Sequence, residues 1–145
     1  MAKHIHLLVR AEIRCPLVTR GAAATFLRDA ISLAGMNIIS GPHAVYGTVP
    51  GNEGVSATAL LDFSSATLHE WPHREGEPPL LQFDLYTCGP IEPTLELFRP
   101  LLQPLQPMSL TVLAIDRDEM RVHRWSHEVS WHRTADDRWV PDAIR

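Results

Sequence analysis

Much of the chain alternates between apolar and polar residues, which is the pattern of β-strands with one buried face. Residues 4–14 are the clearest case, and one face of that strand holds Leu7, Val9, Ala11 and Ile13. A second alternating strand, residues 55–63, would bury Val55, Ala57, Ala59, Leu61 and Phe63. The other predicted strands are residues 37–49 (interrupted at Gly41-Pro42), 65–71, 80–87 and 108–115.

Two segments change to helical spacing. Residues 20–34 place an apolar stripe on one side. Thr19 is the predicted N-cap of this helix, and Gly35 is the residue type that commonly ends one. The stripe consists of Phe26, Leu27, Ala30, Ile31 and Ala34. A second helix is predicted from Pro93 to about residue 103, kinked or ended by Pro100. Its apolar side holds Leu95, Phe98 and Leu102.

The predicted order is therefore β-α-β-β-β-β-α-β. Alternating strands favour an antiparallel sheet, and the helices would cover one of its faces. The expected fold class is an α+β two-layer sandwich formed by residues 1–117. Residues 118–145 form a C-terminal extension rich in histidine and tryptophan, for which a hairpin around residues 134–137, a docked arm and a partly ordered segment all stay open.

The composition of the chain argues against several classes of function. The 145 residues are 45% hydrophobic and 21% charged, an ordinary globular balance, and the net charge is −4. An acidic balance argues against a nucleic-acid or anionic-membrane partner. No apolar run is long enough to span a membrane, and the first residues lack a signal-peptide pattern, so a cytoplasmic location is expected.

The residues with the most informative chemistry lie between Gly54 and Gly89. The chain reads Gly54-Val55-Ser56, then SSATLHEWP from Ser64 to Pro72, then DLYTCG from Asp84 to Gly89. These three motifs resemble those of the short bacterial and archaeal S-adenosylmethionine decarboxylases. The resemblance extends more weakly from the first strand to about Arg117.

The resemblance implies a self-processing enzyme that uses a pyruvoyl group as its electrophile. Ser64 matches the pyruvoyl precursor, so cleavage is expected between Phe63 and Ser64. Ser56 and His69 match residues that assist cleavage, and Cys88 matches the catalytic proton donor. Trp71 and His73 occupy substrate-binding positions. A homodimer with sites near the subunit interface, a role in polyamine synthesis and a small-molecule substrate are implied in the same way, and no metal is needed.

Three positions depart from the family pattern. Phe63 replaces a glutamate, Ser65 replaces a histidine, and His73 replaces the acidic residue that follows Trp-Pro. The last change removes a carboxylate that could accept hydrogen bonds from a ribose. S-adenosylmethionine is the substrate implied by the family, with ornithine or arginine as the alternatives. An unprocessed, non-catalytic homologue acting as a binding or regulatory subunit is the third possibility.

Other chemistries are disfavoured by the residue patterns. The histidines at 4 and 6, or at 123 and 127, match no closed zinc site. A serine hydrolase would need a G-x-S-x-G elbow, which the sequence lacks. The two cysteines, Cys15 and Cys88, lie far apart and are expected to be reduced in a cytosolic protein.

Overall fold

The computed structural model describes residues 3–88, 100–127, 131–133, 135 and 139–141. Its main body is one seven-stranded sheet in the order β2-β3-β4-β5-β1-β6-β7, and all six neighbouring pairs are antiparallel. The strands are β1 (Ile5–Ile13), β2 (Ile38–Gly47), β3 (Gly54–Leu61), β4 (Ser64–Trp71), β5 (Leu80–Thr87), β6 (Pro107–Asp116) and β7 (Arg121–His127). The expected antiparallel α+β sandwich is confirmed.

One helix, α1 (Arg20–Leu33), packs on one face of the sheet against β2, β3 and β4. Thr19 caps it as predicted, because its hydroxyl accepts a hydrogen bond from the Ala22 amide. Gly35, at φ +70°, ends it with the left-handed conformation that glycine tolerates. Its buried residues are Ala23, Phe26, Leu27, Ala30 and Ile31.

The core lies between α1 and the sheet face that the alternation predicted. Leu7, Val9, Ala11 and Ile13 are buried there, as are Val55, Ala57, Ala59 and Leu61 from β3. Because strand side chains alternate, Ser56, His69 and Tyr86 lie on the opposite face. This second face, here called the open face, carries the candidate chemistry.

The prediction that Phe63 belongs to the buried face of its strand is wrong. β3 ends at Leu61, which pairs with Ser64, so Asp62 and Phe63 form a two-residue hairpin turn. Phe63 is 88% exposed and has φ +60°. The chain reverses direction one residue before the alternation would have placed Phe63 in the core.

The interruption at Gly41-Pro42 does not end the strand around it. β2 continues through a cis peptide bond, and its pairing with β3 is irregular between Ile38 and His43. A Cβ at Gly41 would approach the Thr58 carbonyl oxygen to 2.8 Å, and the backbone there has φ +98°. Glycine therefore lets the irregular strand stay close to β3.

Part of the second predicted helix can be compared with the structure. Residues 100–102 are helical and lead into a 3₁₀ turn, Gln103–Leu105. Leu102 is buried as predicted, whereas Leu95 and Phe98 lie outside the described residues.

The C-terminal extension contributes to the sheet. β7 pairs with β6 along its length, from Asp116 opposite Arg121 to Leu110 opposite His127. Two short strands, β8 (Trp131–Arg133) and β9 (Trp139–Pro141), form the hairpin that the sequence left as one of three possibilities. The division into a domain 1–117 and an extension stays a prediction.

Candidate active site

The peptide bond between Phe63 and Ser64 lies at the tip of the β3–β4 hairpin. Ser64 is the first residue of β4 and is half-buried. Phe63, just before it, holds a left-handed backbone that a bulky residue adopts only at a cost of order 1–3 kcal/mol. The residue before the bond that would be cleaved therefore has a strained backbone and an exposed side chain.

A second strand brings a thiol to that bond. Cys88 directly follows β5, which pairs with β4, and its Sγ donates a hydrogen bond to the Phe63 carbonyl oxygen at 2.9 Å. The same Sγ lies 3.7 Å from the Tyr86 hydroxyl and 3.5 Å from His4 Nδ1. The Tyr86 hydroxyl and His4 Nδ1 are 2.7 Å apart. We call Cys88, Tyr86 and His4 the thiol cluster.

The environment of Tyr86 favours its protonated form. The hydrogen bond with Cys88 is the largest cause that raises the pKa of Tyr86, with burial second, while the positive charge of Arg117 opposes them. The Arg117 guanidinium lies over the Tyr86 ring, 4.8 Å from its centre. The phenol therefore remains a hydrogen-bond donor at neutral pH.

Ser56 and His69 form a second pair on the open face. They are directly opposite each other on β3 and β4, and Ser56 Oγ lies 2.8 Å from His69 Nδ1. Gly54, which begins β3, allows the two strands to approach, because a Cβ there would overlap the backbone carbonyl of Glu70. The hydroxyl fixes the orientation of the imidazole, an arrangement suited to proton transfer. We call these two residues the His69 pair.

Trp71 lies beside the His69 pair, with ring centres 6.0 Å apart. Its indole Nε1 donates to Asn52 Oδ1 at 2.7 Å. Trp71, Asn52, His73 and Gln82 line an open cleft of about 880 Å³. Its volume is suited to a small molecule.

One chain does not bring all these residues together. Ser64 and His69 are five residues apart in β4, which corresponds to about 17 Å at the usual rise of a strand. Within one chain the thiol cluster therefore reaches the Phe63–Ser64 bond, whereas the His69 pair does not.

Sequence reasoning missed four contributors: His4, Tyr86 and Asn52, which complete the arrangements above, and Glu70. Glu70 is a buried carboxylate on the face of β4 opposite His69. It accepts hydrogen bonds from the amides of Leu17 (2.7 Å) and Val18 (3.0 Å). Burial raises its pKa, partly opposed by these two hydrogen bonds.

The sequence did contain a signal for Tyr86, because the two-residue period of a β-strand places it on the same face as Cys88.

In the described ranges, no three His, Cys, Asp or Glu side chains are grouped so that they could hold a metal ion. No helix among the described residues is long and apolar enough to cross a membrane.

Comparison with known proteins agrees with the motifs. The family model described as S-adenosylmethionine decarboxylase matches residues 15–118. An arginine decarboxylase proenzyme of Aeropyrum pernix is 35% identical over 96 residues, covering 65% of this chain and 70% of that protein. An S-adenosylmethionine decarboxylase proenzyme of Saccharolobus solfataricus is 31% identical over 91 residues, covering 63% and 66%. One from Persephonella marina is 28% identical over 99 residues, covering 68% of each.

Proposed function

We propose, from the premise that the chain belongs to the S-adenosylmethionine decarboxylase family and is a decarboxylase, that it cleaves itself between Phe63 and Ser64 to form a pyruvoyl group. The fragments would be residues 1–63 and 64–145. The observation that carries the proposal is the 2.9 Å hydrogen bond from the Cys88 thiol to the Phe63 carbonyl. It places an acid at the carbonyl that Ser64 must attack.

The proposed cleavage takes place in three chemical steps. The Ser64 hydroxyl adds to the Phe63 carbonyl carbon, and the peptide C–N bond breaks to give an ester. A base then removes the Ser64 α-proton, and the Cβ–Oγ bond breaks, so that oxygen leaves with the Phe63 carboxylate. Water converts the resulting dehydroalanine to the ketone and releases ammonia. The Cys88 hydrogen bond stabilises the charge that develops on the carbonyl oxygen in the first step.

The base for these proton transfers would come from a second copy of the chain. His69 has the chemistry of a general base and is oriented by Ser56, but about 17 Å of strand separates it from Ser64 of its own chain. In a two-fold dimer that joins the open faces, the contact is reciprocal. The His69 pair of each chain would then serve the Phe63–Ser64 bond of its partner. The separation of His69 from Ser64 within one chain is the observation that supports the proposed homodimer.

Substrate decarboxylation would use the same site. The residues fit the pyruvoyl group, since the new terminus at residue 64 would lie beside the Cys88 thiol. When formed, the group supplies an electron sink for the carbanion left by loss of carbon dioxide. Cys88 would protonate the substrate carbon. Trp71 and His73, which line the cleft, would hold the rest of the substrate.

S-adenosylmethionine is the substrate we propose, acting in polyamine synthesis. The half-buried ring of Trp71 lines the cleft and offers an aromatic surface on which a nucleobase could stack, and the cleft is large enough for a nucleoside. Arginine is the second candidate, since a relative of that activity is 35% identical and His73 supplies no carboxylate for a ribose. Ornithine stays a third alternative, and a cytoplasmic location stays a prediction.

An intact mass spectrum of freshly purified, untagged protein tests the cleavage. We expect two fragments divided at Phe63/Ser64, the larger one blocked by a pyruvoyl group. Ser64→Ala should remain one chain and release no carbon dioxide, whereas Ser65→Ala is the matched control and should still be cleaved. A wild-type chain that stays intact on long incubation would contradict the proposal and favour the non-catalytic homologue. Carbon dioxide release from S-adenosylmethionine, arginine and ornithine then identifies the substrate.

A further inference from the structure

The thiol cluster contains two groups for which the proposed reaction has no assigned role. His4 precedes β1 and Tyr86 lies near the end of β5, yet both converge on Cys88 Sγ. We propose that His4 is the proton partner of Cys88 and returns a proton to the thiolate after each turnover, with Tyr86 as the residue that positions it. This inference rests on the proposed function of Cys88.

Proton accounting supports an exchange within the cluster. A thiol carries one proton, and the Phe63 carbonyl can only accept a hydrogen bond. With a neutral imidazole, the Cys88 thiol donates to that carbonyl while the Tyr86 hydroxyl donates to His4 Nδ1. With a thiolate, His4 Nδ1–H and the Tyr86 hydroxyl are the donors that face Sγ. When the thiol has given its proton to a substrate carbon, the neutral imidazole takes up a proton from solvent and passes the Nδ1 proton to Sγ, which restores both the thiol and the neutral imidazole.

The backbone of His4 is held at both of its polar groups. Its amide donates to Asp118 Oδ2 at 2.9 Å, and its carbonyl accepts from the Arg117 amide at 2.8 Å. The imidazole stacks on the Tyr86 ring, with centres 6.1 Å apart. The connection between β6 and β7 thus fixes a residue from the beginning of the chain beside a thiol 84 positions away. Such double anchoring is what precise proton transfer requires.

Other titratable or charged groups face the cluster from the neighbouring elements that are described. His6 of β1 meets the edge of the Tyr86 ring, with centres 6.3 Å apart, and no hydrogen bond between these two side chains is present among the described residues. Arg117 and Asp118 are both exposed at the β6–β7 connection. From β4, the partner of Tyr86 is the uncharged Ser65. His6 is therefore the matched control, since it is an imidazole that touches Tyr86 without reaching the thiol.

The test measures the reactivity of Cys88 without relying on enzyme turnover. Cys15 is the only other cysteine, so Cys15→Ser leaves Cys88 as the single thiol. In the Cys15→Ser, Ser64→Ala protein, which cannot be cleaved, the rate of alkylation by iodoacetamide is followed by intact mass from about pH 5 to 10. We expect the curve of alkylation rate against pH to contain an inflection that depends on the His4 imidazole. His4→Gln should remove it and slow alkylation at pH 7 about tenfold, because thiolate is the reactive form.

The control variants decide between proton exchange and a merely structural effect. His6→Gln should keep the inflection, and Tyr86→Phe should weaken it while keeping the ring. A His4→Gln curve that superimposes on the parent curve would overturn the inference, as would an equal change in His6→Gln. Because the measurement uses an uncleavable chain, failure here leaves the self-cleavage proposal standing. If self-cleavage fails, the alkylation experiment still tests whether His4 exchanges a proton with Cys88.

In the cleaved enzyme, His4 should matter for turnover more than for processing. We expect His4→Gln to be cleaved at residue 63 and to release carbon dioxide at least about tenfold more slowly. Added imidazole should restore part of the rate in His4→Ala. Full turnover in both variants would contradict the proposed proton return.

Discussion

The thiol cluster and the His69 pair lie on the same sheet but are built in different ways. The His69 pair joins two adjacent strands, and its residues are 13 positions apart in the chain. The thiol cluster joins segments that are far apart in the chain, and the contacts of His4 with Tyr86 and Cys88 span 82 and 84 positions. The first depends only on the β3–β4 hairpin, whereas the second exists only when β1, β5 and the β6–β7 connection are all in place. The His69 pair can therefore act on a second copy of the chain, while the cleavage site, which the thiol cluster contacts, depends on the complete fold.

The largest effect that would test this comparison is expected at His69. His69→Ala should slow self-cleavage about 10²- to 10⁴-fold, the usual contribution of a general acid–base group. Ser56→Ala should slow it less, about tenfold, because the imidazole remains but loses its orienting hydrogen bond. The measurement is the fraction of cleaved chain against time by intact mass.

A matched histidine–serine pair provides the control. His43 Nε2 lies 3.2 Å from Ser40 Oγ on β2, the neighbouring edge strand. His43→Ala should leave cleavage unchanged. A similar loss in both variants would mean that the effect is structural rather than chemical.

Glu70 tests whether the two faces of β4 have separate roles. Glu70→Ala would leave the amides of Leu17 and Val18 without their acceptor, at about 1–3 kcal/mol each. The free energy of unfolding in urea should fall by about 2–5 kcal/mol, with cleavage retained in the folded protein. A cleavage defect at full stability would contradict this division.

The free energy of unfolding should depend on pH in part through the protonation of Glu70. Burial raises the pKa of Glu70 above its ordinary value of 4.5. The stability that this raised pKa contributes to the folded protein is therefore complete below pH 4.5, where Glu70 is protonated in both states. The contribution is lost as the pH rises through the pKa of the folded state. Wild-type protein should therefore lose stability relative to Glu70→Gln as the pH rises above 4.5 toward the raised pKa of the folded state, measured by urea unfolding at each pH. A difference that does not change with pH would contradict the raised pKa.

The smallest expected effect concerns the cleft. Asn52→Ala removes the acceptor that holds the Trp71 indole, a hydrogen bond with a net stabilisation of about 0.5–1.5 kcal/mol. KM should rise about 2- to 10-fold, while the rate of self-cleavage stays the same. A slower cleavage with unchanged KM would show that Trp71 belongs to the processing machinery instead.

The sequence predicted most of the elements because local periodicity determines them. The buried face of β1 and the helix stripe with its Thr19 cap both follow from spacing. Phe63 was misplaced because an apolar residue at an alternating position looks buried, and Asp62-Phe63 lacks the glycine or asparagine typical of a two-residue hairpin turn.

Long-range contacts could not be predicted from spacing. His4 meets Tyr86 only because β1 pairs with β5 and because Asp118 and Arg117 anchor its backbone. Asn52 reaches Trp71 from the connection before β3. β7 was missed because its sequence does not alternate clearly, and its place at the sheet edge is set by pairing with β6. The candidate residues were thus predicted by motif, while their division between two separate clusters required the structure.

Co-expression of two inactive variants tests most directly whether the site combines both clusters across a dimer. Ser64→Ala lacks the cleavable serine but keeps the His69 pair, whereas His69→Ala keeps the serine but lacks the base. Each alone should remain uncleaved on the time scale of wild-type processing. When the two are co-expressed in equal amounts with different tags, about half of the His69→Ala chains should be cleaved, since random pairing places half of them in mixed dimers. If the His69→Ala chain stays intact in the mixture, or is cleaved without its partner, His69 does not act across the dimer.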